Sequence, residues 1–207
     1  SVVAAGIRRM GGEIREAEVR AIRLDGRRVR GVETAAGEIP ADQVVLAAGA
    51  WSARLLAPLG IQVPLETQRG YHVMLPDAGV TPGRILSPAD RKVFITPMEG
   101  ALRIAGTVEF GGLERAPNEA RARLLYDDLA AVFPQARFTR TEGFWMGHRP
   151  CLPDSVPVIG PAQRLPGLWF AFGHGHLGLT GSAPTARMLA PAILGRFGLL
   201  VARVGIR

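Results

Sequence analysis

Cysteine is all but absent from this chain of 207 residues, with Cys151 standing alone. No disulfide framework and no cysteine-based zinc site can be built. A reducing cytoplasm is the compartment such usage suggests. Histidine is scarce as well: His72, His148, His174 and His176 are the four. None stands in HxxxH or HExxH spacing, so no metal site is expected. Lysine is reduced to Lys92, and the net charge of +7 rests almost wholly on arginine. The densest basic cluster, "RAIRLDGRRVRG", alternates Ile22, Leu24 and Val29 with arginines and reads as a hairpin with a solvated face. It lacks interleaved aromatics, so no nucleic-acid partner is expected. Long apolar runs are missing too. The tail "MLAPAILGRFGLLVARVG" is broken by Pro191, Arg196 and Arg203, short of the roughly 18 apolar residues of a membrane span. Peripheral contact with an inner-membrane surface stays open. No signal-peptide pattern opens the chain.

What is present suits a folded core: 47% of residues are hydrophobic and 21% charged. Ser1 to Met10 resembles the back end of a helix, stopped by Gly11 and Gly12. Glu13 to Asp25 alternates as a strand, Asp25-Gly26 is a turn, and Val29 to Thr34 is a second strand. A third begins at Glu38. Val44 to Leu46 is a continuous apolar run, as in a strand buried on both faces of a parallel sheet. Trp51 to Leu59 is helical and stops at Gly60. "YHVMLP", "GRILS", "KVFITPM" and "ALRIAGTVEF" read as short antiparallel strands. "PNEARARLLYDDLAAVFP" is an amphipathic helix, with Leu124, Leu125, Leu129, Val132 and Phe133 at helical spacing.

The division expected is 1–64 for one part of an α/β domain, 65–145 for an inserted sheet domain, and 146–207 for the return to the first. The fold class is α/β with mixed α+β character. Strands are few for the α/β part, and no nucleating βαβ unit precedes them.

Three segments carry chemistry. "FAFGHGHLGLTGSAPTARMLAPAILG" reads as strand, glycine-rich turn and helix. Its histidines, His174 and His176, could be metal ligands, a catalytic pair or neither. Four glycines between 173 and 181 are costly unless a ligand must approach the backbone. A helix N-terminus adds free N–H groups and about half a positive charge; Thr180 and Ser182 are candidate caps. "VVLAAGAWS" delivers small residues at the end of a strand. In "GHRPCLPDSVPVIG", Arg149 is expected in a proline-stiffened turn, suited to bidentate carboxylate recognition.

These segments, with "VRGVETAAGEIPADQVV", "GYHVMLPD" and "TPMEGALRIAGTVEF", make the chain resemble the flavin-dependent D-amino-acid oxidase superfamily along nearly its whole length. The bacterial D-amino-acid dehydrogenases, D-hydroxyproline types included, are the nearest in pattern. The resemblance implies a Rossmann-like FAD domain and a substrate domain on a mixed sheet. It implies hydride transfer from a D-amino acid Cα to FAD, with the imine then hydrolysing to a 2-oxo acid and ammonia. The protein orients and the flavin reacts. The acceptor implied is a respiratory quinone or oxygen. Carried over, Arg149 binds the substrate carboxylate. Gly49 and Ala50, and His174, Gly175, His176, Leu177, Gly178, Leu179 and Thr180, lie by the flavin ring. Val19 contacts the adenine side by its backbone. Phe94 and Val108 line the pocket, joined by Tyr71 and His148, and His176 also faces the substrate as a catalytic candidate.

The family opens with a strand and a GxGxxG turn that grip the FAD pyrophosphate. No GxGxxG is expected in this chain, since "AAGIRRMGG" has the wrong spacing and follows no strand. The chain therefore resembles the C-terminal portion of such an enzyme, here expected to hold FAD poorly alone. Two other readings are a glycine- or sarcosine-type amine oxidase and a non-catalytic remnant or partner subunit.

Overall fold

The computed structural model describes residues 1–139 and 143–195. Arg196 and Arg203, invoked above for the tail, lie outside them. Helix α1 (Val2–Arg9) is capped by the Ser1 hydroxyl, which accepts from the Ala4 amide at 3.3 Å, and it buries none of its residues. Strand β1 (Val19–Asp25) begins only at Val19, so the alternation read over Glu13–Glu18 forms no strand. It pairs antiparallel with β2 (Arg28–Thr34), and β2 with β3 (Gly37–Pro40). Ile22 and Val29 point inward while the arginines between them stay in water, which is the solvated hairpin face expected.

Strand β4 (Val44–Leu46) runs parallel to β10 (Leu168–Phe172), which pairs on its other side with antiparallel β9 (Val158–Pro161). The parallel expectation is met, though only Leu46 of β4 is fully buried. Val45 is 42% exposed, so one face of β4 is open. A short helical stretch follows, with α2 (Ser52–Leu56) at its centre. It ends at Gly60, whose φ of 73° is the left-handed stop that a side chain resists. Ile22, Val29, Leu46, Leu56, Leu168, Phe170 and Phe172 form one core from these two small sheets and α2.

The second core lies under a four-stranded antiparallel sheet of order β6-β7-β5-β8. Its strands are β5 (Glu66–Leu75), β6 (Phe94–Met98), β7 (Ala101–Phe110) and β8 (Phe144–Cys151). Along β5 the odd positions from Thr67 to Leu75 are buried, and the even positions face the other way. Helix α3 (Glu119–Val132) covers the odd face with Ala122, Leu125, Tyr126 and Leu129. Asn118 caps it, accepting from the Ala120 amide at 3.1 Å. Leu124, expected in this core, is 53% exposed, because the helical stripe falls one residue away. "GRILS" supplies only a bridge between Leu86 and Ile95 rather than a strand.

The largest difference concerns 144–151. Expected as a proline-stiffened turn around Arg149, it is strand β8, hydrogen-bonded along β5 from Phe144 opposite Val73 to Cys151 opposite Glu66. Pro150 is tolerated because β8 is an edge strand. Helix α4 (Gly178–Ile193) completes the described chain and carries Pro184 and Pro191 within it. No helix among the described residues is long and apolar enough to cross a membrane.

Candidate active site

Among the described residues, α3 covers the odd face of the four-stranded sheet and no helix core packs on the even one. Alternation brings Gln68, Gly70 and His72 of β5 to this face. Register adds Arg149, Gly147 and Trp145 of β8 and Ala105 and Arg103 of β7, with Phe94 of β6 opposite Ala105. Its apolar members are unusually open: Phe94 is 57% exposed, Trp145 57%, Phe110 65% and Val108 46%. A β-bulge between Arg69 and Tyr71 on β5 breaks the register with β7. Across it Thr107 has a φ of 59°. Such bulges re-aim the side chains beside them.

Arg149 lies on strand β8, not in a turn. Its guanidinium folds across β5 and occupies the space above Gly70 where any Cβ would collide with it. No carboxylate of the described residues stands within ion-pair distance of it. Burial lowers its pKa; nearby Cys151 opposes that shift and Arg103 adds to it. A guanidinium remains charged at neutral pH even so. Half-buried and unpaired, it is ready to form a charge-assisted fork with an incoming carboxylate. The neighbouring Cys151 thiol is pushed up by burial, so it is a poor nucleophile.

The glycine-rich loop meets Arg149's strand directly. The Gly175 amide donates to the Pro150 carbonyl at 2.8 Å. Because β4 and β10 are parallel, "AAGAWS" and "GHGHLG" leave the same end of the pair, with Gly49 and Ala50 in the first and Gly175 in the second. That is the end at which α/β sheets bind ligands. His174 is turned inward. Its Nε2 lies 2.9 Å from the Thr185 hydroxyl, which itself donates to the Gly181 carbonyl at 2.7 Å, so Nε2 carries the proton. Burial lowers the His174 pKa. His174 therefore ties the loop to α4. His176, Leu177, Gly178, Leu179 and Thr180 are exposed in the loop and first turn. No side chain caps α4, whose cap position is Leu177; Thr180 and Ser182 do not serve, and the Ser182 hydroxyl donates instead to the Leu179 carbonyl.

Gly173, Gly175 and Gly178 stand in G-x-G-x-x-G spacing between strand β10 and helix α4. The chain thus does hold this spacing, which corrects the expectation that it has none, and holds it far from the N-terminal strand of the family pattern. It is not a complete dinucleotide unit. Among the described residues no strand follows α4, and a Cβ on Gly173 would meet Leu152.

Two expected pocket residues are elsewhere. Tyr71 is 1% exposed and sits on the α3 side. Its hydroxyl donates to Glu109 at 2.6 Å and accepts from the Asn118 amide and from Arg69. His148 alternates with Arg149 along β8 and so faces the opposite side. There its Nδ1 lies 2.9 Å from the Thr67 hydroxyl, and its ring meets Trp51 edge-on at 5.2 Å. Burial lowers its pKa, and Arg69 adds to this. Val19 opens β1, in the three-stranded sheet that holds neither β4 nor β10. The open face holds three residues that sequence reasoning missed: Arg103, His72 and Trp145. The two-residue alternation of "GYHV" and "FWMGHR" was the available signal, once both are strands. No group of three or more potential metal ligands occurs among the described residues.

A small α/β layer whose two loops leave one end of its parallel strands is joined to an antiparallel sheet with an exposed face that carries Arg149 and Arg103. Residues 2–192 match the FAD dependent oxidoreductase (DAO) family, and the chain belongs to it. It is 42% identical over 192 residues to a D-amino-acid oxidase of Bradyrhizobium diazoefficiens, covering 90% of this chain and 45% of that protein. It is 35% identical over 182 residues to a glycine oxidase of Pseudomonas aeruginosa, covering 87% and 50%. The chain thus spans about half the length of these relatives. Among solved structures, glycine oxidase from Geobacillus kaustophilus superposes with a TM-score of 0.76 at 27% identity, covering 91% of this chain and 53% of that one. The family's cofactor is FAD. The flavin-ring end fits the residues present: an uncapped helix N-terminus and, at Gly49, a glycine with open space where a side chain would stand.

Proposed function

We propose that this chain supplies the substrate face and the flavin-ring loop of an FAD-dependent enzyme that oxidises the Cα–N bond of a D-amino acid. One observation carries the reading. The Arg149 guanidinium lies unpaired over Gly70 on an open sheet face, and the adjacent Pro150 carbonyl is bonded to the Gly175 amide of the cofactor loop. A substrate held by its carboxylate on Arg149 is thereby placed beside that loop. The division into an α/β portion (1–64 and 146–207) and a substrate portion (65–145) is part of this proposal.

FAD, when bound, supplies the electron acceptor for the Cα–N oxidation. Gly49, Ala50 and the segment from Gly175 to Thr180 hold the ring end. The first-turn N–H groups of α4 favour negative charge there. Arg149 fixes one end of the substrate, and Phe94 and Val108 exclude water from the other. His176 is exposed at the loop, where it contacts the substrate amine side. None of these residues is required as a strong base.

The test is spectroscopic. The full-length protein carrying this chain, loaded with FAD and kept free of oxygen, is mixed with the D or the L isomer of alanine and of aspartate. The D isomer is expected to bleach the flavin absorbance and yield a 2-oxo acid. Bleaching by neither, or equally by both, refutes the reading. Bleaching by glycine and sarcosine in preference to D-alanine would favour the second reading, an amine oxidase of the glycine type, which the likeness to glycine oxidases supports.

A further inference from the structure

We infer that Arg103 is a second anion-reading residue beside Arg149, and that the amino acid accepted on this face carries a carboxylate on its side chain. This rests on the substrate role proposed for Arg149.

Arg103 stands on β7, and its Nη2 reaches back to within 3.3 Å of the His72 Nδ1 on β5. Arg149 lies over Gly70, the next residue on the same face of the same strand. Same-face neighbours along a strand are separated by roughly 7 Å. Two cationic heads are therefore held side by side. Arg149 feels the field of Arg103, which helps burial lower its pKa. Like charges so placed cost free energy unless an anion joins them. No carboxylate of the described residues lies within 4.0 Å of either one. Glu66, the acidic residue on the same face of β5, folds back onto the Thr67 amide at 2.8 Å.

Arg103 is also positioned rather than loose. His72 is stacked on Trp145 with ring centres 4.8 Å apart. Burial first, and Arg103 second, hold its pKa below the usual histidine value, so at neutral pH it is an uncharged acceptor for Arg103. The Arg103 Nε is buried without a partner. Two guanidinium groups set over successive same-face positions of β5, Gly70 and His72, match a short dicarboxylate. An amino acid such as D-aspartate or D-glutamate presents that chemistry, its α-carboxylate on Arg149 and its side-chain carboxylate on Arg103. A neutral amino acid would leave Arg103 unanswered.

The experiment is isothermal calorimetry on the full-length protein with succinate and with butyrate, which differ by one carboxylate. Succinate is expected to bind about tenfold or more tightly, the scale of one charge-assisted hydrogen-bonded pair in a partly open site. Arg103→Met should bring succinate down to the butyrate level and leave butyrate unchanged. Arg103→Lys should keep part of the difference. Equal wild-type affinities, or equal losses for both ligands in Arg103→Met, overturn the inference. If Arg103→Met does not fold, the wild-type pair of affinities decides alone. Flavin bleaching by D-alanine with no succinate preference would sink this inference and spare the proposed function. A succinate preference with no turnover of any amino acid would refute the proposed function, and with it the amino acid named here, and leave only the two-arginine site for a dicarboxylate.

Discussion

The Gly175 amide donates to the Pro150 carbonyl at 2.8 Å, so the glycine-rich loop is pinned to the residue after Arg149. One backbone bond thus ties the glycine-rich loop to the strand that carries Arg149. Its consequences are open to measurement in the full-length enzyme.

Arg149→Ala should lower kcat/KM for D-amino acids by roughly 30- to 5,000-fold, since an unpaired carboxylate costs about 2–5 kcal/mol. Lysine keeps charge without the fork and should rescue only in part. A carboxylate-free amine should lose far less activity. The ratio of the two losses is the quantity to measure, and equal losses would make Arg149 structural.

Gly70→Ala should mimic a milder Arg149 variant. The added methyl would stand where the guanidinium lies, and the flexible arginine would swing away while the α3 core beneath stays packed. KM is expected to rise about tenfold, with a stability loss no larger than about 1–1.5 kcal/mol. Thermal melts and steady-state kinetics on one preparation separate the two. A large drop in melting temperature with an unchanged KM would contradict the placement.

Gly178→Val probes the ring end of the cofactor site. A Cβ there makes only ordinary contact with the His174 Cβ, at 3.7 Å. Folding should suffer by less than about 1 kcal/mol, the helix-propensity scale. FAD affinity should fall about tenfold, because the side chain stands at the exposed first turn of α4. Flavin titration against a melting curve is the check. Retained FAD affinity would show that the α4 N-terminus does not hold the ring.

The Tyr71–Glu109 pair should matter to stability and not to substrate choice. Tyr71→Phe removes a buried hydroxyl with three partners and should cost about 1–3 kcal/mol. The hydrogen bond from Tyr71, chiefly, holds the Glu109 carboxyl below its usual value, and Arg69 helps while burial opposes. A depressed carboxylate pKa means the contribution is present above the unfolded value, about 4.3, and is lost as pH falls through the folded one. The melting-temperature gap between wild type and Glu109→Gln should therefore be wide at pH 7 and narrow toward pH 3. A gap independent of pH would refute the assignment.

Much of the fold was legible because local rules and tertiary needs agreed. The Asp25-Gly26 hairpin, the helix ending at Gly60 and the amphipathic α3 each follow from turn chemistry or periodicity. The stretch 144–151 was not legible. Its glycine and proline argue for a loop, and only pairing along β5 makes it a strand. That one misreading hid the site. Once Trp145, Gly147 and Arg149 alternate on a strand, His148 must face away from Arg149, and Tyr71 from Gly70.

By itself the sequence determined the family pattern, the apolar strands and the glycine loop, and it singled out Arg149 as the candidate carboxylate reader. These are local in the chain, written in side-chain chemistry and short-range spacing. Only the tertiary structure decided which residues share a face. Side chains on a strand alternate with a period of two, so a register fixed by distant partners sends neighbours to opposite environments. Register buried Tyr71 under α3 and turned His148 toward Thr67. It also set Arg103, more than 40 residues from Arg149 in sequence, on the same open face.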